Sequence, residues 1–200
     1  MQKQLWSAKS VALTRKVFSA TASAKAVPVA DYICSLLAAS EQKLVAFAYH
    51  TSMLDVLEAR LTQALVSFVR VDCSTAADVR SHCIAQFQGE MRGGGADEVR
   101  VALMSLTACS QGISLTAACT VVCAELFWTP AQLLQAEDRV HRPGQQQEVD
   151  VHYCVADGSA GAMDKRFIKM LERKTGMIEQ VVEGSRLSRP GAFTLQSDRQ

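Results

Sequence analysis

From residue 43 onward, short apolar runs alternate with stretches in which apolar residues recur every three or four positions. LVAFA (44–48) reads as a buried strand, and Leu54, Leu57, Leu61 and Leu65 behind it recur at helical spacing. SFVRV (67–71) is a second strand, followed by a helix over 76–87. RVALM (100–104), TVVCAE (120–125) and VDVHYCVA (149–156) are a third, fourth and fifth strand. Each run ends in Gly, Ser or Thr punctuation, and most are followed by a helix. Such a β-α series is wound by right-handed crossovers, which predicts an α/β fold: a mostly parallel sheet with helices on both faces. VPVADYICSLLAA (27–39) reads as a helix before the series, 162–182 as a basic amphipathic helix after it, 184–200 as a loose tail and MRGGGADE (91–98) as a surface loop. The chain shows no internal repeat and no low-complexity segment.

One helical stretch carries an unusual polar row. Thr129 suits an N-cap, Pro130 a first turn, and Gln132 completes a Thr-x-x-Gln capping box. At 100° per residue Gln135, Arg139 and Arg142 share one stripe, while Leu133, Ala136 and Val140 lie on the opposite side. Pro143 and Gly144 end the helix, leaving Arg142 beside a sharp bend. Taken alone, such a row is a solvated face.

Composition narrows the picture. With 48% hydrophobic and 20% charged residues in 200, the chain can bury a real core. Seven cysteines, an odd number without C-x-x-C or zinc-like Cys/His spacing, argue for reduced thiols in an intracellular compartment and against a disulfide or metal framework. A net charge of +1 means that any contact with nucleic acid comes from local patches. No apolar run is expected to cross a bilayer. The first 30 residues hold Lys3, Lys9, Arg15, Lys16 and Lys25, with Asp or Glu absent, which is transit-peptide composition or a plain basic helical lead-in.

Parallel sheets gather ligands at the carboxyl ends of their strands. Read there, the chain offers HTS (50–52), DCSTAADVR (72–80), SLTACSQGISL (105–115) and ELFWTP (125–130), and on the following helix the Gln/Arg row. Hydroxyls and backbone N–H groups at helix starts suit phosphate, although Ser and Thr also cap helices for purely structural reasons.

In order and spacing, KLVAFAYH (43–50), RVDCSTAADVR (70–80), LMSLTACSQGISL (103–115) and above all AELFWTPAQLLQAEDRVHRPGQ (124–145) resemble the C-terminal, RecA-like lobe of the Snf-type DNA translocases, most closely the HARP-related annealing helicases. The resemblance implies a RecA-like three-layer sandwich. Together with the pattern, it divides the chain into a basic lead-in (1–25), the helicase C-terminal lobe (26–160), a basic amphipathic helix (161–183) and a tail (184–200); beyond 158–160 the sequence drifts from the family pattern, and these last 40 residues are unassigned. It implies that Arg139 and Arg142, with Gln135 leading the motif, reach the γ-phosphate of ATP held on a partner lobe, where planar guanidinium donors meet phosphoryl oxygens. It brings the backbone at Gly112 close to that nucleotide, and lines a DNA track with Ser74, Thr75, Arg80, Ser105 and Thr107, which hold phosphates rather than bases. The implied location is the nucleus, with the mitochondrion as the alternative that the basic N-terminus raises.

Departures from the family pattern are Cys73 in place of Gly, Thr129 in place of Asn, and Ser110 and Gln111 in the fifth motif. A phosphate-cradling G-x-x-x-x-G-K-[ST] loop is not found: Gly93 to Gly95 lead to Ala96 and Asp97 without a lysine, and Asp97–Glu98 precede a strand instead of ending one. ATP and Mg²⁺ are therefore expected only together with a first lobe, and metal ligands are not expected in this chain. Two functions follow: half of an ATP-driven DNA translocase or annealing helicase, inactive alone, or a non-catalytic DNA- or protein-binding module that keeps the fold. The expected partners are DNA, without sequence preference, and an ATP-binding lobe, but no membrane.

Overall fold

The computed structural model describes residues 8–90, 98–108, 112–127, 129–157, 161–170 and 172. These contain a sheet of five strands, β1 (Lys43–Ala48), β2 (Phe68–Val71), β3 (Val101–Ser105), β4 (Ala118–Cys123) and β5 (Asp150–Tyr153), paired in the order β2-β3-β1-β4-β5. Every pairing is parallel. The helices are α1 (Ala8–Ala39), α2 (Thr51–Gln63), α3 (Ala77–Gln88), α4 (Pro130–Glu137) and a helix over residues 162–170, α5.

Alternation within the strands feeds two cores. Val45 and Phe47, Ala102 and Met104, Val121 and Cys123 point to one face, where they meet residues of α3, α4 and α5 such as Phe87, Leu133, Ala136 and Phe167. Leu44, Ala46 and Ala48, Val101 and Leu103, Val122 and Ala124 point to the other, against Val29, Ile33 and Leu37 of α1 and Met53, Leu54, Leu57 and Leu61 of α2. Crossovers of one hand place helices on opposite faces when the chain moves in opposite directions across the sheet. The step from β1 to the edge strand β2 accordingly puts α2 on one face, and the reverse steps, β2 to β3 and β4 to β5, put α3 and α4 on the other. The result is the expected three-layer α/β sandwich.

Three elements differ from expectation. The first helix starts near residue 8 rather than 27 and runs unbroken past residues 25 and 26, with Pro28 inside it. Pro28 faces solvent, while Phe18, Ala22, Ala26, Val29, Ala30 and Ile33 are buried on either side of it, so packing holds the helix through the missing N–H. A cleavable presequence would not supply core residues such as Phe18 and Ala22, and the transit-peptide reading is not supported. By length and composition α1 is also apolar enough to span a bilayer, contrary to expectation, yet it lies along the sheet with this face buried.

The second difference is at α2, which ends at Gln63, so Leu65 leaves the helical stripe and is 93% exposed. The third is at α4, which stops at Glu137. Beyond it the N–H of Arg139 bonds the carbonyl of Ala136 and that of Val140 bonds Glu137, the tighter i to i+3 pattern. The expected capping box does not form: Thr129 makes no side-chain cap bond, and Gln132 Oε1 is buried without a partner among the described residues. Of the helix expected over 162–182, residues 162–170 and 172 are described and helical; the tail at 184–200 and the loop at 91–97 lie outside the described residues.

Candidate functional site

The carboxyl ends of β2 and β3, neighbours in the sheet, bring two of the hydroxyl-rich loops to one edge. After β2, Asp72 organises its turn. Its Oδ1 accepts the Ser74 amide at 2.9 Å and the Ser74 hydroxyl at 2.5 Å, and its own N–H donates to Thr75 Oγ1 at 3.0 Å. Arg70 closes on Asp72 Oδ2 at 3.2 Å and on Asp55 and Glu58 of α2 at 2.8 and 2.5 Å. The hydrogen bond from the Ser74 hydroxyl, opposed by burial and aided by the Ser74 amide and Arg70, holds the Asp72 carboxyl below the usual carboxylate range. Arg80, on the first turn of α3, donates from Nη2 to the carbonyl of Thr75 at 3.2 Å. Ser74, Thr75 and Arg80 therefore form one cluster in which the two hydroxyls are engaged in building the turn. Cys73 is exposed and has no positive φ, so a glycine there is not required by the backbone.

After β3, Ser105 and Thr107 share a hydroxyl–hydroxyl bond of 2.8 Å; Ser105 is buried and Thr107 exposed. Along the same edge stands a carboxylate that the sequence pattern did not single out. Glu125, fully buried after β4, accepts the N–H groups of Tyr49 and His50 on Oε2, both at 2.8 Å, and meets His50 Nδ1 with Oε1 at 2.5 Å. It ties the end of β4 to the end of β1. An acid closing the apolar run TVVCA was its one visible signal. Phe18, Tyr49, His50 and Phe127 pack around this joint, with the Phe18 and His50 rings 4.7 Å apart and those of Tyr49 and Phe127 4.5 Å apart.

The Gln/Arg row does not stay at this edge. α4 starts there, but the chain beyond it descends against the segment 112–118 that leads into β4. Arg139 gives its carbonyl to the N–H of Leu115 at 2.8 Å. Arg142 donates from Nε to the carbonyl of Asp138 at 3.1 Å and from Nη1 to that of Gly112 at 3.2 Å. Leu133, Ala136 and Val140 are fully buried on the opposite side, as the periodicity requires, while Gln135 is exposed and Arg139 and Arg142 are half-buried. Among the described residues no carboxylate pairs with Arg142. A Cβ placed on Gly112 would meet nothing within 4 Å, so the side-chain position there is open. Arg142 and Gly112, both expected at the nucleotide, thus lie against each other, beside the stretch leading into β4 rather than with the hydroxyl loops that follow β2 and β3. Ser110, Gln111 and Trp128 lie outside the described residues.

The parallel five-stranded sandwich, with one polar cluster at its carboxyl edge and an arginine segment folded against its face, is a RecA-like lobe. The conserved C-terminal domain of helicases matches residues 28–144, and the chain belongs to that family. It is 38% identical over 172 residues to the mouse DNA annealing helicase and endonuclease ZRANB3, covering 86% of this chain and 15% of that protein. It is also 37% identical over 163 residues to the Xenopus laevis SWI/SNF-related matrix-associated actin-dependent regulator of chromatin subfamily A-like protein 1, covering 82% and 16%. Among solved structures, the C-terminal part of the Fun30 ATPase domain superposes with a TM-score of 0.55 at 25% identity, over 82% of this chain and 47% of that one. The chain thus spans about one seventh of the length of these curated relatives.

Proposed function

We propose that this chain is the second RecA-like lobe of an ATP-driven DNA translocase of the annealing-helicase type, acting in the nucleus. In this reading Arg142 and Arg139, with Gln135, serve an ATP molecule whose binding loop and Mg²⁺ site belong to a first lobe. Ser74, Thr75, Arg80, Ser105 and Thr107 face the DNA backbone. The observation that carries the reading is the setting of Arg142: among the described residues its bonds go to backbone carbonyls, and its charge is not neutralised by a carboxylate. A guanidinium so held keeps its positive charge for a phosphate and is already oriented for it. Its distance along the chain from the hydroxyl cluster suits a lobe that meets nucleotide and DNA with different regions. The nuclear location follows the relatives named as regulators of chromatin.

ATP brings the phosphoryl chemistry, and this lobe's residues orient and stabilise. Arg142 stabilises charge that develops on transfer, and Arg139, whose backbone is bonded to Leu115, fixes the segment that carries it. In this cluster Arg80 supplies the positive charge that a phosphate needs, and the Asp72-bonded turn holds Ser74 and Thr75 beside it, which gives binding without sequence preference at about 10⁻⁴ to 10⁻⁶ M or weaker.

The test is reconstitution. The 200-residue chain alone should not hydrolyse ATP with or without DNA, and addition of a separately produced ATP-binding lobe from a related annealing helicase should produce DNA-stimulated hydrolysis. DNA binding by the chain should weaken as salt rises and ignore sequence. Hydrolysis by the chain alone, or salt-insensitive binding to one base sequence, would contradict the proposal.

A further inference from the structure

The turn that follows Arg142 is held by a side chain that neither the resemblance nor the fold makes prominent. Arg142, Pro143, Gly144 and Gln145 form a tight turn, closed by the N–H of Gln145 on the carbonyl of Arg142 at 2.9 Å. Pro at the second position and Gly144 at the third, with φ of +109°, are the residues a type II turn requires. A turn alone does not fix where it sits. The Gln145 carboxamide does: Nε2 donates to the carbonyls of Thr116 at 3.1 Å and Ala118 at 2.8 Å, and Oε1 accepts the N–H groups of Gln146 at 2.9 Å and Gln147 at 3.0 Å. A primary amide has two donor hydrogens and an oxygen with two lone pairs, and here all are used. One side chain therefore joins the turn to the strand entrance on one side and organises the next two residues on the other.

The remaining restraints on Arg142 act on the same stretch. Arg139 accepts from Leu115, Arg142 itself reaches Gly112, and one strand further along, the Tyr153 hydroxyl donates to Glu137 at the end of α4. Segment 112–118 is thus the rail along which the arginine segment is hung, and Gln145 is its terminal fastening. Loosening it frees the turn to pivot about α4.

We propose that Gln145 is a positioning residue, whose carboxamide clasps the Arg142–Gln145 turn to the entrance of β4 and so sets the place of the Arg142 guanidinium. This rests on the role assigned to Arg142 above. A group that must meet a transition state within a fraction of an ångström loses rate when its support is released, while ground-state binding is spared. In the reconstituted pair, Gln145→Ala lowers kcat about 30-fold with KM for ATP and DNA affinity within about twofold. Gln145→Glu, which keeps the length and the acceptor but turns an oxygen toward two carbonyls, does the same. In an Arg142→Ala background the Gln145 substitutions cost nothing more, because Gln145 acts only through Arg142.

A general structural role for Gln145 would give additive losses in that cycle, and that result overturns the proposal. If Arg142→Ala itself leaves kcat unchanged, or the pair does not turn over, the function proposed above fails. If Arg142→Ala abolishes turnover and Gln145→Ala spares it, only the clasp fails. Amide hydrogen exchange on the 200-residue chain gives a reading independent of the partner lobe: Gln145→Ala accelerates exchange at Leu115, Gln146 and Gln147 by at least tenfold and leaves β1 and α2 protected. Unchanged exchange at those three amides overturns the clasp regardless of the kinetics.

Discussion

At the scale of residues, the same side chain can serve the fold and a ligand, and Asp72 shows how the two are separated experimentally. Its folded-state pKa lies below its ordinary value, first because of the Ser74 hydroxyl. A depressed carboxylate contributes stability that is fully present above the unfolded pKa and is lost as pH falls through the folded one. Ser74→Ala should therefore cost about 1 kcal/mol at pH 7. The deficit should shrink as pH drops below about 4, where Asp72 is protonated in the unfolded chain and then in the folded one. Urea unfolding at pH 7 and pH 3 measures it; a deficit that is the same at both would mean that the Ser74–Asp72 bond is not what links the residue to stability. Glu125 is different in kind. Two backbone N–H groups and an imidazole meet one fully buried carboxylate, so its work is to join two strand ends.

At the scale of elements, helix ends decide several local outcomes. α3 closes with the N–H of Glu90 on Ala85 and that of Gly89 on Gln86, with Gly89 left-handed at φ +75°. α2 closes by the same pair of bonds, Val66 to Leu61 and Leu65 to Thr62, but there the left-handed residue is Leu65 at φ +54°, almost wholly exposed. Leu65→Gly should stabilise the chain by about 0.5–1 kcal/mol, the left-handed strain relieved less the added unfolded-state entropy. A destabilised variant in thermal unfolding would show that Leu65 has a packing role.

A second clip joins α1 to α5. Lys25 and Asp164, both almost fully buried, pair at 2.9 Å, with Lys25 also on the carbonyl of Cys154 and Asp164 on the N–H of Ala156. Burial, the largest influence on Cys154, pushes its thiol up to about 11, so this neighbourhood does not offer a thiolate at neutral pH. Asp164→Ala strands a buried ammonium and should cost about 3–5 kcal/mol, whereas Lys25→Met with Asp164→Leu should recover most of it. Equal stability of the single variant and the unmodified chain would contradict the clip.

What the sequence made legible follows from these cases. Strands buried on both faces and the Leu stripe of α2 announce themselves by period, and the order of loops follows from the alternation. Continuation of α1 through Pro28, the early stop of α4 and the absence of the Thr129 cap depend on tertiary packing, which local preference does not encode. The resemblance set Arg142 and Gly112 each near the nucleotide, but not the bond between them. The bonds of Gln145 to Thr116 and Ala118 join residues 27 and 29 apart in sequence, and a motif read along one helix cannot supply them.

At the scale of the molecule, the chain is one RecA-like lobe of the helicase family, with its arginine segment bonded to the stretch leading into β4 and its hydroxyl cluster after β2. In the proposed account, the first of these regions serves nucleotide and the second nucleic acid. The proposed account stands on Arg142. With an ATP-binding lobe supplied in trans, turnover and DNA affinity should be measured for the unmodified chain, for Arg142→Ala and for Arg142→Lys. The account predicts a fall in kcat of about 10³ or more for Arg142→Ala with DNA affinity nearly unchanged, and little rescue by lysine, whose point charge lacks the planar fork. Weakened DNA binding with turnover intact would place Arg142 on the DNA side and contradict the account.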